Sequence, residues 1–227
     1  VPREMEYLIE HVAIPYLTRH YQLSGTIKAR VLHAAGIGES VVDDLIGDLE
    51  MLTNPTVGLL AHPGQVDVRI TAKAGSVEEA DQMIEGVEAT VRERLGEAIY
   101  GADNETLEGA LAQELARRGW GLAVLECNLG GDLRARLERV ALPQERAVVE
   151  SGDCLDEGLN ERLAAMMREM GVEAGLAVSL RPAPDKQNLT LLARSPLGEA
   201  RAERSYGGPP TLGIPWGVHT ALDFIRR

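Results

Sequence analysis

The chain has 227 residues, a formal charge of −12 and a sequence pI near 4.9. That field repels a phosphate backbone, and no basic patch overrides it, which argues against nucleic-acid binding. Hydrophobic residues make up 44% and aromatics only 4%, so the cores must be aliphatic, and no apolar run nears the ~20 residues of a membrane span.

Residues 1–23, "VPREMEYLIEHVAIPYLTRHYQL", suit an amphipathic helix interrupted at Pro15. "TIKARVLHAAG" alternates Ile27, Ala29 and Val31 with Lys28 and Arg30, the pattern of a half-buried strand with the apolar set inward. "GESVVDDLIGDLEML" sets Val41, Val42, Leu45, Ile46, Leu49 and Leu52 on one helical face. "TNPTVGLLAHPGQVDVRITAKA" reads as two strands around a turn at His62–Gly64. In "SVEEADQMIEGVEATVRERLG", Ser76 and Glu79 have capping-box spacing. The apolar stripe there is Val77, Ala80, Ile84, Val87, Val91 and Leu95, and Gly96 stops the helix. "EAIYG" is a short closing strand. The order β-α-β-β-α-β is a split βαβ, a small sheet with two helices on one face. Residues 27–103 hold eight more acidic than basic side chains.

A second unit follows. "NETLEGALAQELARRG" is a helix, "WGLAVLE" a strand and "LGGDLRARLERVA" a helix. "QERAVVESGDC" fits neither period. "LNERLAAMMREMG" is a helix with Leu163, Met166, Met167 and Met170 on its core face. "EAGLAVSL", "QNLTLLAR" and the weaker "GEARAERSY" are strands, and "IPWGVHTALDFIRR" closes as a helix with Pro215 in its first turn. The mixture predicts helices on both faces of a sheet. The fold class expected is therefore α+β and α/β: a βαββαβ unit followed by an α/β/α sandwich. Cys127 and Cys154 match no metal spacing and read as free thiols of an intracellular protein, a single disulfide being the alternative.

Three passages together resemble the CinA (competence/damage-inducible protein A) family: "VPREM" with "GIGES", "NPTVGLLAHPGQVDVRITAKA", and "RLGEAIYGADNETLE". The resemblance implies that residues 1–24 end an absent molybdopterin-binding-like domain. It makes residues 25–103 a KH-like middle domain, and residues 104–227 a domain like the family's nicotinamide-nucleotide amidase. It also implies a bacterial, cytoplasmic hydrolase architecture, a homodimer, and an activity that needs no metal or other cofactor. In the family the absent domain is associated with ADP-ribose hydrolysis.

The passage "LARRGWGLAVLECNLGG" is similar to the family's "L…G.TLAVAESCTGG". There a serine works beside a tyrosine and a lysine, and backbone amides at the glycine turn hold a phosphate or oxyanion. Here Glu126, Gly130 and Gly131 remain, while Cys127 replaces the serine, and Asn128 and Leu129 follow it. No tyrosine lies between Tyr100 and Tyr206, and Lys186 is the only lysine in that interval. The family's later glycine loop becomes "SLRPAPDKQ". Cys127 is thus a candidate thiolate nucleophile or a small buried side chain. Glu126 is a ligand-orienting carboxylate or a strand-end acceptor. Asn128, Gly130 and Gly131 are a phosphate cradle or a turn that needs permissive backbone angles. Lys186 is a substitute base or a solvated turn residue. "GIGE" at Gly36–Glu39 lacks the G-x-x-G spacing of a KH nucleic-acid clamp.

The expected function is that of a C-terminal CinA-like piece whose amidase-like domain has lost catalysis and serves structure or dimerisation. Two alternatives are kept. One is an active nicotinamide mononucleotide deamidase using Cys127. The other is binding of a pyridine nucleotide or ADP-ribose-type ligand without turnover.

Overall fold

A computed structural model describes residues 2–21, 25–140, 142, 147–152 and 158–227. Its opening helix is continuous through Pro15. α1 (Pro2–Leu8) passes through a π turn at Ile9–Ala13 into α2 (Ile14–His20). The wider turn lies directly before Pro15, where a missing N–H would break an ordinary helical ladder. Every described side chain of this helix is exposed.

The first sheet holds β1 (Thr26–Ala35), β2 (Thr56–His62), β3 (Gln65–Ala74) and β4 (Ile99–Ala102), all antiparallel in the order β2-β3-β1-β4. α3 (Glu39–Glu50) and α4 (Val77–Leu95) supply its helices, giving the β-α-β-β-α-β order read from the sequence. The capping box forms: Ser76 Oγ accepts the Glu79 N–H at 3.1 Å, and Glu79 Oε2 accepts the Gly75 N–H at 2.9 Å. The core joins Leu32 and Ala34 to Val66, Val68, Ile70, Ile84 and Val91.

Two expectations about burial are corrected. The phase of β1 is inverted: Ile27 is 71% exposed, while Leu32 and Ala34 are buried. Lys28 reaches Asp81 of α4 at 2.7 Å, and Arg30 reaches Glu88 at 3.6 Å. The helix offers acidic partners to the two cations, so their aliphatic stems lie along the sheet while Ile27 faces out. The apolar stripe of α3 is also narrower than its spacing predicts. Val42 and Ile46 are buried, whereas Val41, Leu45 and Leu52 stay exposed.

The second sheet holds β5 (Leu122–Cys127), β6 (Ala147–Gly152), β7 (Ala174–Pro182), β8 (Gln187–Ser195) and β9 (Gly198–Tyr206), in the order β6-β5-β7-β8-β9. β5 runs parallel to β6 and β7, and β7-β8-β9 are antiparallel. α5 (Leu107–Arg118), α6 (Asp132–Leu137) and α8 (Gly213–Arg226) pack on one face through Leu111, Leu115, Leu133, Val218 and Leu222. α7 (Leu159–Met170) covers the other face, with Leu163 and Met166 buried and Met167 and Met170 packed beside them. That is the expected α/β/α arrangement. Of the stretch "QERAVVESGDC", residues 147–152 are β6, and residues 144–146 and 153–154 lie outside the described residues. Among the described residues, no helix is long and apolar enough to cross a membrane.

The two sheets meet at α8. Arg227 Nη2 donates to the Ala35 carbonyl at 2.7 Å, and Arg226 Nη2 donates to the Glu97 carbonyl at 2.7 Å. Both guanidiniums also pair with the nearly buried Asp223.

Candidate functional site

β5 is buried along its whole length, flanked by parallel neighbours on both sides. Its C-terminal end delivers Glu126 and Cys127 into a turn that requires left-handed backbone. Asn128 has φ 62°, Gly130 φ 70° and Gly131 φ 87°. Asparagine is among the few side chains that tolerate this region. A Cβ at Gly130 or Gly131 would meet no atom of the described residues within 4 Å, whereas the left-handed backbone at both positions favours glycine. Leu129, between them, turns inward and is fully buried against α8.

One amide of the turn and one of α6 are held by the same side chain. Glu126 is fully buried. Its Oε1 accepts the Gly131 N–H at 2.7 Å and its Oε2 accepts the Arg134 N–H at 3.1 Å. The carboxylate thus ties the turn to the first residues of α6 from inside the chain. It also satisfies donors that the start of α6 leaves open. Asn128, Gly130 and Gly131 do come together in one turn, but the Gly131 amide points at Glu126.

Cys127 requires a correction. It is fully buried and disulfide-bonded, which overturns the reading of free thiols and removes the thiolate from this structure. The physical cause is strand order. β6 lies beside β5 and places Gly152 opposite Cys127, and Cys154, which lies outside the described residues, follows two positions later in sequence. On the other side Ser179 of β7 stands opposite Cys127, fully buried, with a hydroxyl that has no hydrogen-bond partner among the described residues. Lys186 is exposed in the turn before β8, where its carbonyl accepts the Ala183 N–H at 2.8 Å. Among the described residues no group of His, Cys, Asp and Glu could hold a metal ion.

A second polar cluster, which sequence spacing does not reveal, lies between the two sheets. Asp67 accepts from His33 Nδ1 at 2.7 Å and from Gln65 Nε2 at 2.7 Å, with His62 Nε2 at 3.2 Å. Gln65 Oε1 in turn accepts the Tyr100 hydroxyl at 2.8 Å. Burial opposes charge on His33, but Asp67 and the Asp103 carbonyl overcome it and raise its pKa above the usual imidazole range. Burial, with Asp67 nearby, pushes the Tyr100 hydroxyl far up. From the other sheet's helices, Arg136 pairs with the nearly buried Glu108 at 2.6 Å and lies 3.2 Å from His219 Nε2. Burial and that guanidinium hold His219 below its ordinary range. The one sequence clue was Glu108 itself, a carboxylate on the core stripe of α5 beside Leu107, Leu111 and Leu115. Gly64 fixes the approach of the β2–β3 turn. Its φ is +79°, and a Cβ there would come within 2.7 Å of His219 Cβ.

Residues 29–101 match the family described as the damage-inducible protein CinA KH domain. Curated relatives carry the likeness into the second sheet: a putative competence-damage inducible protein of Caldanaerobacter subterraneus is 37% identical over 198 residues, 87% of this chain and 47% of its own length. The chain belongs to the CinA-like, competence/damage-inducible family. A CinA-like protein of Dictyoglomus turgidum is 41% identical over 140 residues, covering 61% of this chain and 34% of that protein. The chain therefore spans less than half the length of these CinA-type relatives. Among solved structures, a CinA superfamily protein of Escherichia coli is similar at 16% identity and a TM-score of 0.42, covering 55% of this chain and 91% of that one.

Proposed function

We propose that the second sheet and its helices keep the frame of a nicotinamide-nucleotide amidase without its chemistry, and serve this CinA-like chain as a structural unit fixed to the KH domain. The observation that carries this reading is Cys127 at the family's serine position, fully buried and disulfide-bonded. A sulfur held in a disulfide has no thiolate with which to attack an amide carbonyl. The lack of any tyrosine between Tyr100 and Tyr206 supports it further. In this reading, enzyme activity of the longer protein resides outside these residues.

The test is ammonia release from nicotinamide mononucleotide by the purified chain, with and without a thiol reductant. None is expected under either condition. Release under reducing conditions that disappears in Cys127→Ala would overturn the reading and install Cys127 as the nucleophile.

A further inference from the structure

Ser179 Oγ is the only side-chain oxygen among the described residues that is buried without a hydrogen-bond partner. Buried hydroxyls are nearly always paired, so an orphan calls for a reason. Register fixes where this one lies. β7 sets Ser179 directly opposite Cys127 of β5. Alternation puts both side chains on the α7 face, which Leu125 and Ala177 share two residues earlier. On the other side of β5, Gly152 of β6 stands opposite Cys127 and offers no side chain. Thr190 of β8 stands opposite Ser179, and the two hydroxyls make no bond. The core cluster that holds Cys127 is otherwise apolar, with Leu125, Leu159 and Leu163 among its members. Ser179 is therefore the donor that strand pairing places beside this sulfur. A disulfide sulfur is a weak acceptor and leaves the hydroxyl idle. A thiolate is a charged acceptor and would engage it.

We propose that Cys127 is a site of reversible thiol–disulfide exchange with a small dithiol, with Ser179 as the donor to its departing sulfur. Cys127 is fully buried, so the incoming thiolate attacks the other sulfur of the bond, that of Cys154, the one other cysteine in the chain. A mixed disulfide forms there, the protein disulfide breaks, and its electron pair leaves on Cys127 as a thiolate. The second thiolate of the dithiol then displaces Cys154 and closes a cyclic disulfide. Two electrons pass to the protein, and its two sulfurs take up the two protons that the dithiol gives up. A stabilised leaving thiolate speeds the exchange and draws the equilibrium toward the reduced chain. Apolar burial alone would oppose both. Ser179 acts on both states: it gains a partner in the reduced chain and lacks one in the oxidised chain. The serine thus makes this bond a reducible one rather than a permanent staple. The inference shares the disulfide with the structural role proposed above but does not need the loss of catalysis. Ammonia release reads that loss, and thiol alkylation reads the exchange.

The test is reduction of the folded chain by dithiothreitol, followed by alkylation and mass measurement, with thermal melting of each oxidised variant. The wild-type rate is expected to rise in proportion to dithiothreitol concentration. Ser179→Ala removes the donor. It should be reduced more slowly, and in mixtures of reduced and oxidised dithiothreitol its equilibrium should shift toward the disulfide roughly tenfold, about 30 mV. Oxidised Ser179→Ala should melt no lower than wild type, because the hydroxyl it loses has no partner. Thr190→Val removes the hydroxyl on the far side of Ser179 and should leave the equilibrium where it is. A wild-type rate independent of dithiothreitol would mean that exchange waits for unfolding, and would overturn the proposal. So would Ser179→Ala reduced as readily as wild type, a lower melting temperature for its oxidised form, or an equal shift in Thr190→Val.

Discussion

Glu126→Ala is the most informative single change. The carboxylate is fully buried and holds two backbone N–H groups, at 2.7 and 3.1 Å. A hydrogen bond to a charged group is worth about 1.5–3 kcal/mol, and an orphaned buried donor pays its desolvation in full. Against this, the variant no longer has to bury a charge, which returns part of the loss. We expect a net destabilisation of about 2–4 kcal/mol. For a chain of this size, at about 2–4 °C per kcal/mol, melting should fall by roughly 5–15 °C. Both tryptophans of the chain, Trp120 and Trp216, pack against the core that the turn closes, so their fluorescence in a urea titration reports this unit specifically. Glu126→Gln keeps one acceptor oxygen and should fall between wild type and alanine. A loss below about 1 kcal/mol in Glu126→Ala would refute the view that the carboxylate holds the turn together.

Two further outcomes concern the joint between the sheets. Gly36 has φ +68°, and a Cβ there would overlap the Asp223 carboxylate, so Gly36→Ala should cost about 1–3 kcal/mol and expose the junction to limited proteolysis. Unchanged digestion and melting would show that Asp223 moves aside freely. His219, whose folded pKa is depressed, contributes stability that is full above the unfolded imidazole pKa and is lost as pH falls through the folded value. His33, whose folded pKa is raised, works in the opposite sense: its contribution is present below the unfolded pKa and is lost as pH rises through the folded one. Melting of His219→Gln between about pH 7 and about pH 5 should therefore fall less on acidification than that of wild type. An equal or steeper fall would put the acid sensitivity elsewhere.

Element order was legible because its signals are local. Ser76 with Glu79 announces α4, the periodicity of Val91 and Leu95 carries it, and Gly96 ends it. What depends on partners far along the chain was not legible. The alternation in β1 reads equally well with either face inward, and only α4, bringing Asp81 and Glu88 to Lys28 and Arg30, decides it. The disulfide at Cys127 depends on β6 lying beside β5, and "QERAVVESGDC" carries no clear strand period. The glycine turn itself was visible as a motif. That Glu126 would fold back onto amides five and eight residues ahead was not, because the same carboxylate at a strand end could equally face a ligand.

The guanidiniums of α8 also set an order of events. Arg226 grips a carbonyl 129 residues earlier in the chain, and Arg227 one 192 residues earlier. During synthesis the first sheet, with its own core and caps, is complete long before either arginine emerges from the ribosome. Domains generally fold as they appear, N-terminal first. These two clasps of the joint thus require the last turn of α8. A chain cut before α8 would keep the core of the first sheet and lack both clasps of the joint.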